Sequence, residues 1–237
     1  MRGLRKGMDW DKRIISEVEL FHQMKLCPTK TAQILSLLTS IDNDRLSFVI
    51  PVRVDSAERE RNLDVVVDLL SEMKGVDVSI LEGDKQPLYR LKKAYENVKY
   101  RFVEDLDRVF HRTKYLNCLL KDAQGAVVGV WDTDVVISQE QILDAVKAIR
   151  TGRAVMSFPY DGRFYTLSPE DSDLFVRDRS FERLDELVKT SHLAHGPHSV
   201  GGAFLVNRKV YLQSGGENEH FYGWGPEDAE RVKRMKI

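Results

Sequence analysis

The sequence predicts an α/β fold in which a mostly parallel central sheet is covered by helices on both faces. Two runs, LSFVIPV at 46–52 and AVVGVW at 126–131, are compact, apolar and rich in β-branched residues, as strands buried on both faces are. After the first of these, apolar residues recur at helical spacing, with Leu63, Val66, Val67, Leu70 and Met73 on one face of 57–74. Strand and helix then alternate along most of the chain, the pattern of parallel strands joined by helical crossovers.

The elements follow in order. Residues 1–44 read as a helical extension. Ile14, Val18 and Phe21 mark a helix over 9–26 that Cys27-Pro28 ends, Ile34, Leu35 and Leu38 mark a second at 30–39, and IDNDR at 41–45 is a linker. The main domain, 45–237, opens with the strand at 46–52 and the helix at 57–74, which Gly75 stops. A strand at 76–81, a short helix at 87–97, a strand at 100–103, a helix at 113–122 and the strand at 126–131 come next. Ser138 to Gln141 forms a capping box that opens a helix at 139–150. Asp161-Gly162 between 154–160 and 163–167 signals a hairpin. A helix at 180–190, the loop SHLAHGPHSVGG, a strand at 203–206, a helix at 207–214 and a last helix from Pro226 complete the chain.

Composition narrows the function. The 237 residues carry 36 basic and 37 acidic side chains, so nothing marks a nucleic-acid binder. No apolar run approaches the roughly 20 residues of a membrane span. The basic start MRGLRKGMDWDKR lacks the apolar core of a signal peptide, though it suits peripheral contact with an anionic membrane. Cys27 and Cys118 have no metal-ligand spacing, so a cytoplasmic chain, including one at the inner face of the plasma membrane, is expected.

In parallel α/β sheets ligands bind beyond the carboxyl ends of the strands. Pro51-Val52-Arg53, Glu82-Gly83-Asp84 and Asp132-Thr133-Asp134 are therefore expected along one rim. The chain has five Asp-x-Asp pairs, and only Asp132/Asp134 directly follows a long apolar strand. Carboxylates at that depth need a partner. A divalent Mn2+ or Mg2+ that bridges phosphates is one solution; an ordinary strand-end turn is the other. HFYGWGPED gathers three aromatics and two acids. Glu227 and Asp228 in a first helical turn are well accounted for by helix electrostatics, with a site for sugar hydroxyls as the functional alternative and Trp224 as core or as a stacking face. Arg53 and Arg112 are candidate phosphate ligands or surface charges. His192, His195 and His198 are spaced by three, but Gly196 and Pro197 break any helix that would align them on a metal.

IPVR at 50–53, FHRTKYLN at 110–117, WDTD at 131–134, GGAFLVNRKVYLQSGG at 201–216 and FYGWGPED at 221–228 occur in this order. Together they resemble the beta-1,4-galactosyltransferases and the bacterial chondroitin-polymerase-type glycosyltransferases, over about 46–236. The resemblance implies a GT-A (Rossmann-like) fold and inverting transfer from a UDP-sugar donor to a glycan or lipid-linked glycan acceptor, with Mn2+ or Mg2+ as cofactor. It implies that Pro51, Val52 and Arg53 contact the nucleotide, with Glu82 at the same rim, and that Arg112 and Lys114 lie on the uracil or diphosphate side. Asp134, with Asp132, would hold the metal, and Gly201 and Gly202 would face the donor sugar. Phe221, Tyr222, Trp224, Glu227 and Asp228 would receive the acceptor, with Asp228 as general base. Two departures stand out: the animal enzymes' third metal ligand, a histidine after this helix, has no counterpart here, which is expected of a domain truncated at its C-terminus, and Pro226 replaces a glycine. The competing readings are a nucleotidyltransferase, which would release pyrophosphate, and a non-catalytic glycan-binding or assembly domain.

Overall fold

The computed structural model describes residues 2–4, 15–16, 45–196, 198–223 and 225–235. The α/β architecture expected from the sequence is present. Strands β1 (Arg2–Leu4) and β2 (Ile15–Ser16) precede β3 (Leu46–Val52), α1 (Ala57–Ser71), β4 (Val76–Asp84), β5 (Val98–Glu104), α2 (Arg112–Asp122), β6 (Val127–Trp131) and β7 (Val135–Val136). Then follow α3 (Gln139–Arg150), β8 (Ala154–Ser157), β9 (Phe164–Thr166), α4 (Pro169–Asp178), α5 (Phe181–Thr190), β10 (His192–His195), β11 (Ala203–Asn207), α6 (Arg208–Gln213) and α7 (Glu227–Met235).

The main sheet has the order β2-β8-β11-β6-β3-β4-β5. β6, β3, β4 and β5 are parallel neighbours, whereas β11 runs antiparallel to both β6 and β8. The crossover from β3 to β4 carries α1, and the one from β5 back to β6 carries α2 in the opposite direction. Right-handed crossovers of opposite direction place their helices on opposite faces. This explains why every residue of β3 and β6 is buried and why these strands read as continuous apolar runs. A smaller sheet, β10-β9-β1-β7, lies beside a second core of Val65, Val136, Tyr165, Leu167, Phe175, Leu184 and Val188. Among the described residues no helix is long and apolar enough to cross a membrane.

Several expectations are corrected. Ile15–Ser16, inside the helix expected at 9–26, is a strand paired with β8; most of that stretch, and the helix expected at 30–39, lie outside the described residues. Residues 87–97 form no helix. Their polar groups are taken by other elements: the Leu88 and Tyr89 N–H groups donate to the Glu82 carboxylate, Tyr95 Oη donates to Asp68, and Asn97 Nδ2 donates to Ser71 O and Val76 O. The 154–167 hairpin does not form either. β8 pairs with β11 and β9 with β1 and β10, while Phe158 and Tyr160 are buried between them in the main core. Asp161-Gly162 still turns the chain, with Gly162 at φ 85°, but a turn signal does not choose which strands pair. α4 has no counterpart among the elements expected from the sequence, although Ser168 caps it by accepting from the Asp171 N–H at 3.1 Å and Pro169 sits in its first turn.

Candidate active-site cavity

Topology assembles the site. β3 and β6 are parallel neighbours, so Pro51–Arg53 and Asp132–Asp134 leave the sheet side by side. β11 is antiparallel to β6 with Ala203 opposite Trp131, so its beginning, not its end, reaches the same rim. The Asp132 N–H donates to Gly202 O at 2.8 Å and extends that ladder by one rung. The first turn of α7 closes the far side. A cavity of about 510 Å³ results, lined among others by Pro51, Val52, Arg53, Arg112, Asp132, Thr133, Asp134, Gly201, Gly202, Glu227 and Asp228. That size lies in the ordinary range for small-ligand sites.

Both glycines at the head of β11 are required by geometry. Gly202 has φ 81°, and a Cβ there would lie 2.7 Å from the Phe164 ring. A Cβ at Gly201 would collide with Asp228 Oδ2 and lie 3.2 Å from its Cγ. The carboxylate of α7 therefore packs directly against the β11 backbone.

The charges are arranged around two arginines. Arg112, the first residue of α2, donates from Nη2 to Asp132 Oδ1 at 2.6 Å, and its Nη1 is buried with no partner. Burial works against its charge, but Asp132, with Asp228 and Glu217 further off, outweighs both burial and the neighbouring Arg231, so its pKa is raised. Arg231, fully buried, donates from Nη1 to Asp228 Oδ1 at 2.6 Å. Glu227 is buried, and its Oε2 has no partner. Burial pushes the Glu227 carboxyl above its usual range, and Asp228 adds to the push; its own backbone N–H, Arg112 and Arg231 oppose it only in part.

Other expected residues fall elsewhere. Arg53 borders the cavity, but its guanidinium is spent internally: Nε donates to Gly83 O at 2.8 Å, Nη1 to Asp107 O at 3.0 Å and Nη2 to Asp105 Oδ2 at 3.2 Å. It clamps the 105–108 loop to β4. Glu82 does not line the cavity; it is fully buried and accepts from the Leu88 and Tyr89 N–H groups and, at 2.5 Å, from Tyr100 Oη. Continuation of β4 to Asp84 turns this carboxylate into the fold instead of ending the strand at the rim. Lys114 is exposed on α2, away from the lining. Phe221 and Tyr222 are also outside it: Phe221 O accepts from Thr113 Oγ1 at 3.1 Å, and Tyr222 packs its ring 4.6 Å from that of His111 and donates to Asp107. Both latch the 218–222 segment to the start of α2. Trp224 lies outside the described residues. His195 lines the cavity against the Phe164 ring, though His192 and His198 do not.

Among the described residues no group of three His, Cys, Asp or Glu side chains comes together to hold a metal. The donor set is thus at most Asp132 and Asp134, with one Asp132 oxygen engaged by Arg112. Two carboxylates do not make a closed structural site, but Mg2+-like ions are commonly held by one or two carboxylates plus substrate phosphates. Sequence reasoning missed Glu217 and Arg231. The Asp-x-x-Arg spacing from Asp228 places Arg231 on the same helical face, a usable signal; for Glu217 the sequence offers none.

The structure defines an α/β domain whose strand ends open into a cavity lined by acids and arginines, the position at which ligands bind in open α/β sheets. The family model described as the N-terminal domain of galactosyltransferase matches residues 186–237, less than half of the chain. No curated protein matches the chain in sequence. Among solved structures it is similar to the mannosyltransferase PcManGT from Pyrobaculum calidifontis in complex with GDP-Man and Mn2+, at 13% identity and TM-score 0.44, over 93% of this chain and 62% of that one. It is similar to S. aureus TarS 1-349 in complex with UDP-GlcNAc, at 10% identity and TM-score 0.49, over 81% of this chain and 53% of that one. It is also similar to GalNAc-T7 with UDP, GalNAc and Mn2+, at 13% identity and TM-score 0.47, over 82% and 41% respectively. The chain thus spans less than two thirds of each of these proteins.

Proposed function

We propose that the chain is a GT-A-type glycosyltransferase domain that moves a hexose or N-acetylhexosamine from a UDP-sugar to a hydroxyl of a glycan or lipid-linked glycan, with inversion, in surface polysaccharide or glycoconjugate synthesis. The observation that carries this reading is that two residues lining one cavity each hold a buried polar atom without a partner. Arg112, whose Nη2 binds Asp132, keeps the cationic donor Nη1 unpaired, and Glu227, next to Asp228 in the chain, keeps the acceptor Oε2 unpaired. Buried polar atoms are seldom left unpaired. A diphosphate satisfies the first and a sugar hydroxyl the second.

In the proposed reaction Arg112 holds a diphosphate oxygen, and Pro51 and Val52 border the nucleotide. Glu227 accepts a hydrogen bond from the acceptor and fixes its orientation. The acceptor oxygen bonds to the anomeric carbon as the bond from that carbon to UDP breaks, UDP leaves with the electron pair, and the acceptor proton passes to Asp228. Such base assistance contributes typically about 10²–10⁴-fold. Asp134 and Asp132 would hold Mn2+ or Mg2+, which when bound neutralises charge on the diphosphate. The family-model match to galactosyltransferase over 186–237, which includes Gly201, Gly202, Glu227 and Asp228, supports this reading.

The test is a UDP-sugar panel with Mn2+, read by thermal stabilisation and by product. A donor at 100 times its Kd adds about 2.7 kcal/mol, and turnover releases UDP. Arg112→Gln is expected to weaken UDP binding by about 1.5–3 kcal/mol, the worth of a hydrogen bond to a charged group, while leaving uridine binding unchanged. Release of pyrophosphate in place of UDP makes the chain a nucleotidyltransferase, and binding without turnover makes it a non-catalytic glycan-binding domain; either result refutes the proposal.

A further inference from the structure

Behind Asp228 lies a buried charge chain that the reaction above does not use. Arg231 is fully buried and spends three donor atoms on two acids: Nε on Glu217 Oε1 at 2.9 Å, Nη2 on Glu217 Oε2 at 2.9 Å and Nη1 on Asp228 Oδ1 at 2.6 Å. Its guanidinium lies over the Phe204 ring at 4.2 Å, and Phe204 pairs with Val130 of β6, the strand that leads into Asp132. Glu217, also buried, is itself held from two sides. Tyr211 Oη donates to it at 2.7 Å, and Asn117 receives its N–H at 2.8 Å and donates to its carbonyl at 2.9 Å. Asn117 belongs to α2, the helix that begins with Arg112. Burial tends to raise the Glu217 pKa, but Arg231 and the hydrogen bonds from Arg231 and Tyr211 outweigh it and hold the carboxyl below its ordinary range.

A buried ion pair is a poor device for stability, because desolvation consumes much of the attraction. It is a good device for orientation when every donor is matched, and here a bidentate fork fixes the guanidinium plane. Asp228, one third exposed, is the only member that reaches the cavity. One of its oxygens is tied to Arg231, and the other is pressed against Gly201. We infer that Glu217 and Arg231 are positioning residues that hold the Asp228 carboxylate in its reactive orientation. Arg231 also neutralises Glu217, so the chain adds no uncompensated charge behind the site. The inference rests on the proposed glycosyl transfer.

The experiment compares the parent protein with Glu217→Gln and Arg231→Lys. For each, the thermal midpoint, the Kd for UDP by calorimetry, and kcat and KM for the UDP-sugar that the parent turns over are measured with Mn2+, with kcat expressed per folded molecule. Gln keeps the shape of Glu217 but cannot accept both bonds of the fork; Lys keeps the charge of Arg231 but not its plane. Both variants are expected to bind UDP within twofold of the parent and keep the donor KM, while kcat falls about 10- to 100-fold, the scale of a reacting group displaced by an ångström. A purely structural pair would lower the midpoint and leave kcat per folded molecule at the parental value, which would overturn the inference. So would a loss of UDP affinity in step with kcat. If Glu217→Gln does not fold, Arg231→Lys decides alone, and if neither folds the pair is structural and the inference fails. A parent protein that turns over no UDP-sugar overturns the function and the inference together, and is recognised because no variant is needed to see it.

Discussion

Replacing Gly201 by alanine probes the cavity with a single methyl group. Gly201 does not occupy the left-handed region, so its backbone accepts alanine without strain; the cost is contact. The new Cβ would collide with Asp228 Oδ2 and stand 3.2 Å from Asp228 Cγ, inside the roughly 3.5–4.0 Å of an unstrained carbon pair. The backbone cannot retreat freely. Gly201 O accepts from Tyr160 Oη at 2.5 Å and from the Ala203 N–H at 3.0 Å, and the next residue's carbonyl accepts from Asp132. The carboxylate must therefore move, by on the order of 1 Å, against its 2.6 Å bond to Arg231. Overpacking of this kind costs about 1–3 kcal/mol of stability. A misplacement of about 1 Å at a reacting group costs about 10²-fold in rate, equivalent to about 2.7 kcal/mol of barrier. Steady-state UDP release, the UDP Kd and a thermal melt on Gly201→Ala and its parent decide the matter: kcat is expected to fall about 100-fold with the UDP Kd unchanged. A folded Gly201→Ala protein with parental kcat would refute the reasoning, because the position of Asp228 would then not matter to the reaction.

Two further outcomes are expected. Glu227 has its carboxyl pKa raised by burial and by Asp228, so the folded protein binds its proton more tightly than the unfolded chain and stability falls as pH rises from the ordinary carboxylate range through the raised folded value; Glu227→Gln should melt higher than the parent at neutral pH and converge with it in acid, as scanning calorimetry across that range would establish. Phe175, fully buried in the second core and packed 5.6 Å from the Phe181 ring, should cost about 3–5 kcal/mol when replaced by alanine, read from denaturant midpoints, while UDP affinity in the folded fraction stays at the parental value.

The alternation of apolar strands with amphipathic helices was legible because it follows from local periodicity. The buried strands expected at 46–52 and 126–131, the helices expected at 57–74, 113–122 and 139–150, and the meeting of Pro51 with Asp132 on one rim could be anticipated, whereas Glu82, expected on that rim, is absent from it, and Gly201 and Asp228 were expected near the donor and acceptor through the resemblance alone. The helix expected at 87–97 and the hairpin around Asp161-Gly162 could not be judged locally. In the first, a buried glutamate 6 and 7 residues upstream takes the backbone N–H groups of Leu88 and Tyr89; in the second, strands far along the chain compete for the edges of β8 and β9.

The sequence by itself determined the layer architecture and the identity of the acids at the strand ends, because burial period and strand-end chemistry are written residue by residue. Only the tertiary structure decided how those groups are employed. Arg53 and Arg112 read alike as phosphate ligands, yet the fold spends the first on backbone carbonyls and the 105–108 loop and leaves the second, a lining residue of the cavity, with a buried, unpartnered nitrogen. Glu82 reads as an acid of the binding rim and Glu217 as one acid among 37, and only their surroundings make the first a clamp for residues 88–89 and the second the anchor of Arg231 behind Asp228. The physical reason is that a hydrogen bond or an ion pair depends on distance and direction in space, and partners 14 to 54 positions apart are brought together by topology, which no local pattern encodes.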